Sequence, residues 1–312
     1  MPSYPFTQLD VFTDQRFAGN PLAVFNEPDG LTDEQMSKIA REMNLSETVF
    51  VLPSTAEGAL RKLRIFTPMR EIPFAGHPIV GTWNALAREG IVPLPDSGSG
   101  TTRIQHEVGI GVLPVEIEFN DGQPVRVVMT QGKFEILAEI DDWQEQAELA
   151  RALGRNREDL HESLPIQVIT TGLSCLAVPI RSLADLRDCR VNASLLADIY
   201  TRHGATGCLA FTRETLEVGE SRAHARFFAP ADNIPEDPAT GSACGALGGY
   251  LVYHSGLSIE PVDGKYNFVI EQGDFINRPS RVGLEVTGGP GNVKQVRIGG
   301  SSVVVARGEV YV

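Results

Sequence analysis

Cysteine is scarce, with four in 312 residues: Cys175, Cys189, Cys208 and Cys244. None forms a C-x-x-C pair, and the spacings match no zinc pattern. An even number leaves a disulfide framework formally open, but a chain this long builds its cores without staples, and the thiols are expected to be reduced. Positive charge is in deficit, with 27 Lys and Arg against 40 Asp and Glu and a net charge of −13. Such a surface repels phosphate backbones, which argues against a nucleic-acid partner. Met1 to Asp10 holds no basic patch followed by an apolar stretch, so no secretory signal is expected and the cytoplasm is the default location. No apolar run approaches bilayer thickness, so no membrane partner is expected. His106, His161, His203, His224 and His254 show neither i,i+4 nor clustered spacing, which predicts no metal site. Neither a phosphate-binding loop nor a strand–G-x-G-x-x-G–helix unit appears, so no nucleotide cofactor is expected.

What the chain does have is an ordinary globular balance, 42% hydrophobic and 21% charged, and a length that suggests two domains at ~150 residues each. It also repeats itself. Set beneath one another, Arg64-Ile-Phe-Thr-Pro-Met-Arg-Glu-Ile-Pro73 and Arg226-Phe-Phe-Ala-Pro-Ala-Asp-Asn-Ile-Pro235 agree at five of ten positions. After a three-residue insertion, Ala75-Gly76-His77 faces Thr240-Gly241-Ser242, and upstream Leu22-Ala23-Val24 matches Leu176-Ala177-Val178. The matching segments run in the same order, and the period is far too long for a solenoid, so the chain reads as a duplicated domain.

Each half reads as mixed strand and helix. Strands are expected at Phe6–Phe12, Leu22–Phe25, Thr48–Leu52, Val112–Phe119 and Val125–Met129, the last two joined by Asn120-Asp121-Gly122. A helix is expected at Leu31–Asn44, where Thr32 and Gln35 make a capping box and Met36, Ile39, Ala40 and Met43 form an apolar stripe. A second is expected at Asp141–Leu153, and the chain beyond Arg281 is strand-rich. Strands outnumber helices without the regular alternation of a doubly wound parallel sheet.

Two further segments are apolar on nearly every face, which predicts buried helices. One begins near Gly76-His77, with Pro78 suited to the first helical position and Gly90 to the residue past the end. The other follows Thr240-Gly241, with Ser242 suited to the N-cap and Gly256 to the stop. Free N–H groups at two such tips favour an anion, most simply a carboxylate. The alternative is that these glycines only permit close helix packing. Glu47 opens the buried strand, where partial desolvation suits a proton carrier, although a plain strand-end glutamate fits the same position. His77 reads as a capping histidine or a site residue, and Asp237, between two prolines, as a turn residue or a site residue.

Asp10-Val-Phe-Thr13 with Gly19-Asn-Pro21, Ser46-Glu47, Phe74-Ala-Gly-His-Pro78, Glu236-Asp-Pro-Ala-Thr-Gly-Ser242, Arg278-Pro-Ser280 and Gly299-Gly300 together resemble the PhzF-like phenazine-biosynthesis family. The resemblance implies an α+β fold of two pseudo-symmetric halves, each a strand barrel wrapped around a central helix, the diaminopimelate-epimerase-like fold, with its site between the halves. The first half is expected at 1–127 with a returning strand at about 302–312, and the second at 128–301. It further implies a homodimer without metal or organic cofactor, whose best-understood members isomerise a dihydro-hydroxyanthranilate. By the motif match Glu47 carries the proton, His77 and Asp237 assist it, and Asn20, Gly76, Gly241 and Ser242 bind a small carboxylate substrate. Diaminopimelate epimerases use a cysteine at each helix start; here Ala75 and Thr240 stand at those places, and Cys244 lies inside the helix, which argues against a two-thiol racemase. Two rival readings are a hydrolase using Ser242, His77 and Asp237, although no G-x-S-x-G elbow surrounds Ser242, and a binding protein without chemistry.

Overall fold

The computed structural model describes residues 2–312. The chain divides into two compact units, one made of the residues up to Thr130 together with Gly299–Val312, the other of Gln131–Ile298. Both are sheet-dominated α+β structures in which strands wrap a buried central helix.

In the first unit Ser3–Val11 pairs antiparallel with both Ser302–Tyr311 and Asn20–Asn26. Asn20–Asn26 runs parallel to Glu47–Leu52, which pairs antiparallel with Lys62–Phe66. Two antiparallel pairings then link Gly100–Val108, Gly111–Asn120 and Gln123–Thr130. The central helix Gly76–Arg88 packs on Ser3–Val11, Asn20–Asn26 and Gln123–Thr130, and every residue from Gly76 to Ala87 is buried. This accounts for its apolar composition on all sides, since no face meets water. Truncating Trp83, fully buried here, would cost about 3–5 kcal/mol. The outer helix Asp33–Met43 is amphipathic instead, closed at one end by the Thr32–Gln35 capping box and at the other by Asn44 in the left-handed region. Its Met36, Ile39 and Ala40 cover Phe25, Phe50 and Phe66, whose rings contact one another at 5.1 and 5.4 Å.

The second unit repeats this plan. Ser174–Pro179 runs parallel to Cys208–Thr212, which pairs antiparallel with Ser221–Ala229, and that strand runs parallel to Lys265–Gln272. The central helix Gly241–Tyr253, buried from Gly241 to Val252, packs on Ser280–Gly289 and Ile166–Thr170. The duplication extends to side chains. Arg64 grips Glu71 through Nε and Nη2 at 2.8 and 2.6 Å, and Arg226 grips Glu236 through the same atoms at 2.9 and 2.7 Å. Register makes the two copies comparable residue by residue. Leu22 lies opposite Glu47 in the first, and Leu176 lies opposite Cys208 in the second.

Both central helices start earlier than the sequence patterns suggest. The first begins at Gly76, which puts Pro78 third; a proline without an N–H is tolerated throughout the first turn because those donors have no intrahelical partner. The second begins at Gly241, with Thr240 and not Ser242 at the N-cap. Thr240 does not cap with its side chain, because its Oγ1 donates to Asp237 Oδ2 at 2.5 Å. Gly90, at φ +77, ends the first helix as expected, its successor Ile91 donating to the Leu86 carbonyl at 3.0 Å. All four cysteines are free and buried. Among the described residues, no helix is long and apolar enough to cross a membrane.

Candidate active site

In the first unit the strand Glu47–Leu52 and the central helix bring two side chains together that lie far apart in sequence. Glu47, the first residue of its strand, places Oε2 3.2 Å from Nε2 of His77, the second residue of the helix. The side chains are 13% and 5% exposed. Burial pushes the His77 pKa down to about 3, against the opposing pull of the Pro21 carbonyl, so the ring is neutral at ordinary pH. The contact therefore joins a neutral imidazole to a carboxyl group, not two full charges. Asn20, fully buried at the start of the adjacent strand, holds Nδ2 3.4 Å from His77 Nδ1. Gly76 opens the helix, and its cap, Ala75, supplies no side-chain hydrogen bond. The structure thus brings Asn20, Glu47, Gly76 and His77 into one cluster.

In the second unit Asp237 ends the strand Ile234–Asp237, and Gly241 and Ser242 begin the central helix; Asp237 and Ser242 are 7% and 6% exposed. The turn between them is held by Gln272, a fully buried residue that the sequence patterns do not mark. Its Nε2 donates to the Asp237 carbonyl at 2.7 Å and to Thr240 Oγ1 at 3.2 Å, while its Oε1 accepts from the Thr240 amide at 3.1 Å and from Cys244 Sγ at 3.2 Å. Thr171, also fully buried, donates to the Ser242 carbonyl at 3.3 Å and to Gln131 Oε1 at 3.2 Å. Burial pushes the Cys244 thiol far up, so it is a packed donor and not a nucleophile. Among the described residues, no group of three or more His, Cys, Asp or Glu is arranged to hold a metal ion.

This duplicated α+β chain has the diaminopimelate-epimerase-like fold, and it is an isomerase, as its named relatives are. The chain belongs to the PhzF-like phenazine-biosynthesis family: the family described as phenazine biosynthesis-like protein matches residues 9–308. It is 36% identical to an uncharacterized isomerase of Clostridium acetobutylicum, over 98% of each chain. It is 34% identical to the trans-2,3-dihydro-3-hydroxyanthranilate isomerase of Pseudomonas aeruginosa, over 98% of this chain and 99% of that one. Among solved structures, the PhzF-family phenazine biosynthesis protein of Bacillus anthracis superimposes with a TM-score of 0.85 at 29% identity over the whole of both chains. A hydroxyproline epimerase from Agrobacterium vitis, 13% identical over 99% of this chain and 91% of that one, shares the fold with a TM-score of 0.65.

Proposed function

We propose that this protein is a cofactor-free isomerase that moves a proton between two carbons of a small carboxylate, with Glu47 as the carrier. The observation that supports it most is the shielded Glu47 carboxyl at 3.2 Å from a neutral His77 on the tip of a buried helix. Glu47 takes a proton from one carbon, and the C–H electron pair stays in the substrate as a delocalised anion. The Glu47 O–H bond then breaks and the proton goes to a second carbon, so nothing is gained or lost. Such a transfer by a positioned group is worth roughly 10²–10⁴-fold. Neutral His77 offers a hydrogen bond to substrate, and the open N–H groups at each helix start, Gly76 in one unit and Gly241 in the other, favour an anion at that tip. Asp237 is proposed to assist the transfer with His77, and Ser242 to bind substrate, as the motif match implies. The Pseudomonas aeruginosa relative is named for isomerising a ring carboxylate, which supports a carboxylate as the substrate class here.

The test is incubation with a panel of small carboxylates in D₂O, followed by NMR for isomer formation and for deuterium at C–H positions. Turnover by the natural enzyme and its loss in Glu47→Gln, with ligand binding nearly intact, are expected. Activity that survives Glu47→Gln would overturn the proposal. Ester or amide cleavage abolished by Ser242→Ala would support the hydrolase instead, and ligand binding without any reaction would support the binding protein.

A further inference from the structure

The duplication sets one loop of the first unit beside its copy in the second. Leu22-Ala23-Val24 matches Leu176-Ala177-Val178, so Asn20 corresponds to Ser174. In the second unit Thr170 lies directly opposite Ser174, and the three residues 171–173 make the turn. In the first unit Val11 lies directly opposite Asn20, and the same turn takes the eight residues 12–19. Three residues suffice to reverse the chain at this place in the fold, so the longer loop serves something besides the reversal.

The longer loop is also held in an unfavourable shape. Phe12 and Phe17 have φ of +63 and +69, a left-handed backbone that bulky side chains rarely adopt and that persists only where the surroundings impose it. The Phe12 amide donates to the Ser301 carbonyl at 2.9 Å, the Gln15 amide to Thr13 Oγ1 at 3.1 Å, and Arg16 Nε to the Val304 carbonyl at 3.0 Å. The Phe17 amide donates at 2.6 Å to Oδ2 of Asp10, a residue only 2% exposed. At the far end Gly19, at φ +63, leaves no room for a Cβ, which would fall 2.4 Å from the Val11 carbonyl oxygen. All this fixing leaves the Phe17 ring in water, 72% exposed, although Ala18, Gly19 and Asn20 behind it are buried. Three residues of chain separate Phe17 from Asn20 by at most ~11 Å between Cα atoms. Asn20 in turn places Nδ2 3.4 Å from His77 Nδ1. Phe17 therefore stands at the solvent edge of the cluster around the Gly76 helix tip.

We infer that Phe17 is a substrate-covering residue, whose ring packs on the apolar skeleton of the carboxylate held at the Gly76 tip and so selects acids with a broad apolar body over short ones. A ring held out by a fixed backbone gives up little freedom when a ligand covers it, so most of the burial counts toward binding. This deepens the proposed function: it takes the carboxylate ligand from that reading and none of its chemistry.

The test is calorimetric binding of benzoate and of acetate to the natural protein, Phe17→Ala and Phe17→Tyr. The natural protein should bind benzoate at least ~10-fold more tightly than acetate. Phe17→Ala should weaken benzoate ~10-fold or more and acetate less than ~3-fold, while Phe17→Tyr, which keeps the ring face, should stay within ~3-fold for benzoate. Because the ring is exposed, its removal takes away little packing and the variants should fold. Equal affinity of the natural protein for the two acids, unchanged benzoate affinity in Phe17→Ala, or an equal loss of both ligands there would overturn the inference. If Phe17→Ala weakens benzoate alone while Glu47→Gln keeps its turnover, the covering role stands and the proton-transfer reading falls. If Glu47→Gln loses turnover while Phe17→Ala binds benzoate as before, the reading stands and the covering role falls.

Discussion

His77 Nε2 and Glu47 Oε2 stand 3.2 Å apart in a setting that keeps the imidazole uncharged, because burial pulls its pKa down to about 3. A protonated histidine beside the carboxylate would make an ion pair and hold Glu47 back as a base. On the proposed reading, a neutral one leaves Glu47 available as the base. That distinction shapes the first expectation.

His77 should add no inflection to the pH–rate profile between about pH 5 and 8, although an ordinary histidine titrates there. It should instead appear in stability. As pH falls below about 6.5 the unfolded chain takes up a proton at this residue, while the folded chain does not until about 3. The unfolded state binds more protons across that window, so stability declines as pH falls through it and is level above it. Denaturant titrations at a series of pH values should show a shallower acid decline for His77→Gln than for the natural protein. Equal slopes would count against a neutral buried ring.

Glu271 should be a structural keystone of the second unit. It is fully buried, and burial alone would raise its pKa. The hydrogen bond from His224 at 2.9 Å and those from the Leu216 and Glu217 amides at 2.8 and 2.9 Å reverse that, so its carboxyl titrates below the ordinary range. A depressed carboxyl contributes stability that is present above about pH 4.3 and lost as pH falls through the lower folded value. Glu271→Leu strands His224 and both amides, and should cost about 3–5 kcal/mol in denaturant unfolding at neutral pH.

Gln272→Leu leaves the Thr240 amide and the Asp237 carbonyl without a side-chain partner, each worth about 1–3 kcal/mol when buried. Because those groups set the first turn of the helix at Gly241, KM for the carboxylate should rise more than kcat falls. Steady-state kinetics beside a melting curve separates the two effects; a lower melting temperature with unchanged KM would make Gln272 purely structural.

Gly81→Ala should destabilise the first unit despite alanine's better helix propensity. The new Cβ would fall 2.6 Å from both Leu22 Cδ2 and Val11 Cγ2. Overpacking of that kind costs about 1–3 kcal/mol, against a propensity gain of about 1 kcal/mol. A rise in melting temperature would show that the strands beneath yield freely.

Local signals were the legible part of the sequence. The Thr32–Gln35 box, the Met36/Ile39/Ala40 stripe and the Arg64/Arg226 match each act within a few residues, and each corresponds to an observed cap, face or duplicated ion pair. The helix starts were legible only approximately, because Pro78 and Ser242 suit more than one position in a first turn and Thr240 is drawn away by Asp237. Glu47, His77 and Asn20 stood out through family motifs, not spacing; Asn20 and His77 are 57 residues apart, and only the packing of strand on helix joins them. Gln272 carried no signal, since its importance comes from groups 28 to 35 residues away that reach it in three dimensions.

The strand Ser3–Val11 is flanked on one side by Asn20–Asn26 and on the other by Ser302–Tyr311. During translation the second flank does not exist until all of Gln131–Ile298 has been made. At roughly 5–20 residues per second that interval is on the order of ten seconds or more. Throughout it the nascent chain displays an open strand edge, the kind of template on which other chains pair. The half that carries Glu47 thus cannot complete its sheet until Ser302–Tyr311 is available to pair with Ser3–Val11.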